Sequence, residues 1–280
     1  MTLYLTLIML VSAILHATWH TILKVQDDRH FILALGSGLN ALLAAPVLFF
    51  IPAPDVSLLP VMALATFCHS FYGFFLMKAY QHGDFNQIYP LIRGLGPILI
   101  AAASYVLWGE TLSPSAIAGI FIISGAILII ASPARILKRH VSNRALFYAF
   151  ITALLVMTKT LADAAGVKAT LESYTYIVYI MVFGVLPYSL FYIVRDRAKI
   201  PALSFKAIRF IIIAALSGFI SYVLALYAFG LGAVGPVASL RETGIIAAAI
   251  IGTLFLKEPF GRKRLYAAMI VVIGIFCLNL

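Results

Sequence analysis

The chain has 280 residues, 63% hydrophobic and only 11% charged, with a mean hydropathy of +1.06. A water-soluble domain needs roughly a quarter of its residues charged, so most of this surface is expected to face lipid, with no length left for a soluble catalytic domain. The formal net charge of +10 would suit a polyanion, but its distribution along the chain argues against nucleic acid.

Ten apolar runs of about twenty residues, each long enough to span a bilayer as a helix, occupy 3–24, 31–51, 57–80, 85–108, 114–131, 144–164, 173–194, 205–229, 234–256 and 262–279. No Lys or Arg precedes the first run, Thr2 to Leu23, which is longer than a secretory leader's apolar core, so it is expected to be retained. Cys68 and Cys277 lie inside apolar runs and read as free packing thiols. The longest polar link, Ser132 to Arg144, divides the chain into a first unit (1–131), a basic connecting loop (132–143) and a second unit (144–280).

Sixteen of the twenty Lys and Arg residues fall in odd-numbered connections: Lys24 and Arg29; Lys78; Arg135, Lys138, Arg139 and Arg144; Arg195, Arg197, Lys199, Lys206 and Arg209; Lys257, Arg262, Lys263 and Arg264. Even-numbered connections hold only Lys168. The positive-inside rule then puts odd loops in the cytoplasm and both termini outside, so the basic residues mark orientation.

The two halves repeat a pattern. Arg93 to Glu110, an arginine, an apolar stretch with an alanine triplet and a glutamate, recurs as Arg241 to Glu258 at the same separation. Five helices per half reverse the orientation of the second copy, so the expected fold is an all-α integral membrane protein of ten transmembrane helices in two inverted five-helix repeats.

Arg93 sits in Tyr89-Pro90-Leu91-Ile92-Arg93-Gly94-Leu95-Gly96-Pro97, where two prolines and two glycines are expected to loosen the helix and free backbone groups toward a cavity. Arg241 sits beside Glu242. An arginine at this depth is costly unless paired or wet, so each is a functional candidate; the alternative is a structural ion pair, Arg241 with Glu242 or Arg93 with another acid. His16, His20 and Lys24 share one face of the first helix with Trp19 close by; the third helix offers His69, Tyr72 and Tyr80, and the sixth Thr158, Lys159 and Asp163. These histidines could line a polar cavity, hydrogen-bond backbone or one another, or hold zinc with a third ligand that the sequence does not supply; no metal or cofactor is expected. Glu110 and Glu258 end their helices, with the expected role of anchoring the turn into the next helix, whose N-terminal side favours a carboxylate. His-Glu-x-x-His, phosphate-loop and Gly-x-Ser-x-Gly signatures are absent from the sequence, so no enzymatic activity is expected and any transport is not driven by ATP hydrolysis.

His16-Ala17-Thr18-Trp19-His20, Ala79-Tyr80-Gln81-His82-Gly83-Asp84, Tyr89-Pro90-Leu91-Ile92-Arg93-Gly94 and Leu240-Arg241-Glu242-Thr243 resemble EamA-type carriers of the drug/metabolite transporter superfamily, as do Trp108-Gly109-Glu110 and Leu256-Lys257-Glu258-Pro259. The resemblance covers nearly the whole chain. It implies two inverted five-helix repeats around a central cavity, with His16, Trp19, Tyr89, Arg93, Arg241 and Glu242 at cavity positions. His20 departs from the family's usual Asn, and the outside termini depart from the cytoplasmic termini of many relatives.

Together these readings point to a secondary carrier in a bacterial inner membrane, taking a small anionic or zwitterionic metabolite by alternating access. Arg93 and Arg241 would clamp the anionic group, with Trp19, Tyr72, Tyr89 and Tyr222 as walls. The bundles would rock about Gly94, Gly96, Pro97, Gly235 and Pro236. His16, His20, His69, Asp163 and Glu242 are candidates for a coupling proton. The alternatives are an exporter of cationic or neutral aromatic compounds, a membrane-embedded enzyme acting on a lipid-linked substrate, and a sensor that moves no solute. Beyond lipid and a small substrate, the small-residue faces Gly36-Ser37-Gly38 and Gly119 to Gly125 serve either internal packing or a homodimer.

Overall fold

Backbone N–H and C=O groups with no water to satisfy them close their hydrogen bonds within helices. The computed structural model describes residues 2–24, 26, 28–83, 85–131, 142–170, 172–256 and 262–280, and among these there is helix and no strand. The helices in chain order are α1 (Leu3–Lys24), α2 (Arg29–Ala44), α3 (Leu59–His82), α4 (Phe85–Trp108), α5 (Pro114–Ala131), α6 (Asn143–Ala169), α7 (Ser173–Phe183), α8 (Leu186–Arg195), α9 (Phe205–Leu231), α10 (Val234–Glu242), α11 (Gly244–Leu256) and α12 (Arg262–Asn279). Asp84, Glu258 and nearly all of the loop expected at 132–143 lie outside the described residues.

Among the described residues eight stretches are long and apolar enough to cross a membrane: Leu3–Leu23, His30–Phe49, Val56–His82, Leu91–Trp108, Asn143–Ala169, Ser173–Arg195, Phe205–Leu231 and Val234–Ile251. Pro114–Ile129 and Leu265–Asn279 are apolar but shorter. Large hydrophobic side chains such as Phe49, Phe50, Val106 and Phe205 stand fully outward, as lipid-facing positions should.

Departures from ten uniform rods have local causes. The α2 helix tightens into a 3-10 turn at Ala45–Phe49, where Pro46 lacks an N–H and crowds the preceding turn. The seventh run breaks at Gly184–Val185, and Pro187 starts α8, a position that needs no N–H. The ninth run breaks at Thr243, whose N–H and Oγ1 both bond to the Leu240 carbonyl, at 3.2 and 2.6 Å. Conversely, the expected loosening around Arg93 is not observed: α4 is continuous through Pro90, Gly94, Gly96 and Pro97. A Cβ on Gly94 would fall 2.8 Å from Leu128 Cγ of α5, so this glycine serves close helix packing.

The packing is reciprocal between the halves. Helix α3 lies along α6 while α9 lies along α1; α4 packs on α5 and α6, and α10 and α11 pack on α1. Gly119 and Gly274 bring α5 and α12 together; a Cβ on Gly119 would sit 2.8 Å from the Gly274 carbonyl oxygen. Ser12 and Ser221 tie α1 to α9, each hydroxyl donating to the other's carbonyl, at 2.7 and 2.8 Å.

Contacts between connections define two ends. At one, Ser142 Oγ donates to the His82 carbonyl at 2.9 Å, and Lys199 pairs with Asp28, which also caps α2 through Phe31 N–H. At the other, Thr6 Oγ1 donates to Asn279 Oδ1 at 2.8 Å, placing both chain ends together.

Candidate functional site

Between the helices lies a cavity of about 230 Å³. His16, Trp19, His20, His69, Tyr72, Arg93, Tyr222, Arg241 and Glu242 all line it, as the sequence suggested. The Tyr89 side chain lies outside the described residues. Asp163 is not on the wall but behind it, 1% exposed.

Helix geometry assembles the first cluster. His16, Trp19 and His20 stand one turn apart on α1, with the Trp19 and His20 rings stacked at 3.7 Å and Trp19 Nε1 directed at His16 Nδ1 at 3.1 Å. Arg93 enters from α4. Its Nη1 donates to both Glu242 oxygens at 2.9 and 3.0 Å, and its Nη2 meets His16 Nε2 at 2.8 Å and His20 Nε2 at 3.0 Å. His16 Nε2 and His20 Nε2 also stand 3.2 Å apart, so the guanidinium and the two rings form one hydrogen-bonded cluster.

The Arg241–Glu242 pair expected from adjacency does not form. Successive helical residues point about 100° apart and do not face one another, and Glu242 pairs across the bundle with Arg93. The structural ion pair is therefore Arg93–Glu242, joining the two halves.

A second cluster surrounds Lys159, which also lines the cavity. Its Nζ donates to Asp163 Oδ2 at 2.6 Å and to Tyr222 Oη at 2.7 Å. Asp163 further accepts from Tyr222 Oη at 2.8 Å and Tyr176 Oη at 3.1 Å. Sequence reasoning set Lys159 on a face suited to a polar cavity but not among the substrate-binding candidates; its signal is a Lys–Asp pair at i, i+4 in an apolar helix. Asn40 and Ser37 were missed as cavity positions. Both face the cavity from α2, and Asn40 Oδ1 is buried with no partner. A lone Asn in an apolar run was the available signal.

Arg241 contrasts with the other cations. Its Nε is buried without a hydrogen-bond partner, Nη2 lies 3.4 Å from His16 Nδ1, and the guanidinium stands 5.9 Å from the Tyr222 ring centre. Among the described residues no group of three His, Cys, Asp or Glu could hold a metal ion, and the Nε2 atoms of His16 and His20 are engaged by Arg93.

Glu110 lies outside this cavity. Rather than anchoring the next helix, it reaches the start of α10 and accepts from Val234 N–H at 3.0 Å, with Lys168 beside it at 3.3 Å. The lining residues of α1 are His16, Trp19, His20 and Leu23, all in its C-terminal half. The cavity therefore extends toward the end of the bundle that holds Asp28 and Lys199, away from Glu110.

The chain is a bundle of apolar helices around a charged central cavity, and its matches to known families indicate a membrane transporter of the drug/metabolite type. Residues 143–280 match the EamA-like transporter family and residues 30–123 the Small Multidrug Resistance protein family. The second half of the chain is thus similar to EamA-like transporters, and both matches are consistent with the drug/metabolite transporter superfamily. A crystal structure with 15% sequence identity superposes with a TM-score of 0.78 over 99% of this chain and 98% of that one, a likeness of fold. No curated protein matches the sequence.

Proposed function

We propose that the chain is a secondary carrier of a small anionic or zwitterionic metabolite, bound in the central cavity. One observation carries the reading: Glu242 is taken by Arg93 and Asp163 by Lys159, while no carboxylate among the described residues pairs with Arg241. Three cations against two carboxylates leave one uncompensated positive charge in a low-dielectric site, which an anionic ligand neutralises.

The reading takes the helices as ten spans in two inverted repeats (1–131 and 144–280), in a bacterial inner membrane with odd-numbered loops cytoplasmic. The reciprocal packing of α3 on α6 and α9 on α1 supports it. The cavity then opens toward the cytoplasm, and transport proceeds by alternating access. The Arg93–Glu242 pair, which ties the halves at the cavity, is the contact that such a rearrangement strains.

The test is a ligand panel on detergent-purified protein followed by flux in liposomes. A ligand at about a hundred times its dissociation constant raises stability by roughly 2.7 kcal/mol. Anions that stabilise the wild type and are carried into liposomes, both lost in Arg241→Ala, support the reading. A second reading, export of aromatic cations, is favoured by the stacked Trp19 and His20 rings and the Tyr72 and Tyr222 walls. It wins if cations stabilise wild type and Arg241→Ala equally. Chemical turnover of a substrate, lost on His16→Ala, would instead make the protein an enzyme.

A further inference from the structure

We infer that Asn40 of α2, with Trp19 and Gly218 beside it, forms a subsite for an uncharged hydrogen-bonding group of the substrate, a hydroxyl or a carboxamide. This rests on the carrier reading above and deepens it: the substrate carries a neutral polar group besides its charge.

The charged lining of the cavity comes from α4, α6 and α10, which supply Arg93, Lys159, Arg241 and Glu242. The α2 wall is of another kind. Ile32, Leu33, Gly36, Ser37 and Asn40 follow one face of that helix, and none of them ionises. Asn40 lies well inside the apolar span His30–Phe49, where an amide costs free energy unless it is paired. Its Oδ1 is buried with no partner. The neighbours do not supply one: Trp19 Nε1 is directed at His16 Nδ1, and Gly218 has no side chain.

Room for a ligand group stands beside this amide. Gly218 lines the cavity with Trp19 and Asn40, and a Cβ on it would lie 3.6 Å from Trp19 Cδ1 and 3.9 Å from Asn40 Nδ2. Both are ordinary contact distances, so a methyl-sized group fits against the indole and the amide without displacing either. A primary amide donates at one end and accepts at the other, and rotation about χ2 exchanges the two. Its match is a group that also does both, which a hydroxyl or a carboxamide does. A carboxylate or an ammonium finds its counter-charge across the cavity instead. Asn40 is thereby a specificity-determining residue, because a site built to hydrogen-bond a group rejects the analogue that lacks it.

The test is thermal stabilisation of the whole purified chain by two matched pairs of probes: 4-hydroxybutyrate against butyrate, and choline against ethyltrimethylammonium. The wild type should bind the hydroxylated member of a pair roughly fivefold more tightly. Asn40→Ala should bring the two members to equal affinity, and so should Gly218→Ala, by filling the space with a methyl. Without ligand, Asn40→Ala should melt no lower than the wild type, since it loses no partner and gains helix propensity. A wild type blind to the hydroxyl, or a preference that survives in both variants, overturns the subsite. So does ligand-free Asn40→Ala that melts several degrees lower, which would show the amide to be paired within the fold. Preference in the cationic pair alone keeps the subsite and sinks the anion reading. Binding of both anions without preference does the reverse, and silence from all four probes sinks both.

Discussion

The Glu110 carboxylate crosses from the end of α4 to cap α10, accepting from the Val234 N–H at 3.0 Å. That amide is one of the first four of its helix, which have no partner within it, so the contact satisfies a group that lipid would leave bare. Replacing Glu110 by Ala should destabilise the protein by about 1 kcal/mol, with Gln losing less because its carbonyl still accepts. Thermal melts of the two variants check this. An Ala variant as stable as wild type would show that water replaces the carboxylate.

Lys159 and Asp163 form a buried pair whose members are not independent. Removing one partner strands the other's charge, a loss of roughly 3–5 kcal/mol, whereas replacing both with apolar residues of similar size is often near neutral. Lys159→Met alone and Asp163→Leu alone should therefore each melt far below the double variant. Additive losses in a double-mutant cycle would contradict the pairing.

Gly166 of α6 lies against the ring of the fully buried Tyr176; a Cβ there would fall 2.0 Å from Tyr176 Cε2. Gly166→Ala must push away the side chain that donates to Asp163, and overpacking of this kind costs about 1–3 kcal/mol. Adding Tyr176→Phe should not restore stability, because the ring remains. Tyr176→Ala should restore part of it. Stability curves for the three variants decide.

Acid should act at the loop end of the bundle. Lys199 holds the Asp28 carboxyl below its usual range, with Phe31 N–H assisting, and Arg195 with Lys199 does the same to Asp196. Carboxyls depressed in the folded state stabilise it above their unfolded value of about 3.9 and lose that effect as pH falls through the lower folded value. Melting temperature should thus be insensitive to these groups from about pH 5 to 8 and fall below about pH 4. Asp28→Asn should melt lower at neutral pH and lose less on acidification. The effect is small, since Lys199 is half exposed and screened by solvent.

Much of the fold was legible because lipid makes the chain declare itself. The apolar runs fall in helices, eight stretches of them long and apolar enough to span among the described residues, with the seventh and ninth runs each divided in two, and Arg93 and Arg241 stood out because a cation at that depth needs a reason. What the sequence could not convey was partnership. Glu110 carries the signal for a helix N-terminus but not which one, and its partner Val234 is 124 residues away. Arg241 and Glu242 are neighbours in sequence, yet helical geometry turns them apart. The two halves share a pattern around their arginines, but α4 stays whole while α10 and α11 part at Thr243, beside Gly244, where a Cβ would fall 2.7 Å from the Ala13 carbonyl oxygen of α1. That approach depends on α1, which no local reading of the ninth run contains.

The α10 helix is nine residues long, roughly 13 Å from end to end. Its aligned peptide groups amount to about half a positive charge at the start and half a negative charge at the finish. Glu110 sits at the positive pole, while at the finish Glu242 is taken by Arg93 and Arg241 is left as the cation of the last turn. Neutralising Arg241 with a carboxylate removes the complement at one pole in a medium that screens poorly. Under the anion reading, an event in the cavity would be registered electrostatically at the far end of α10, where Glu110 and Lys168 meet.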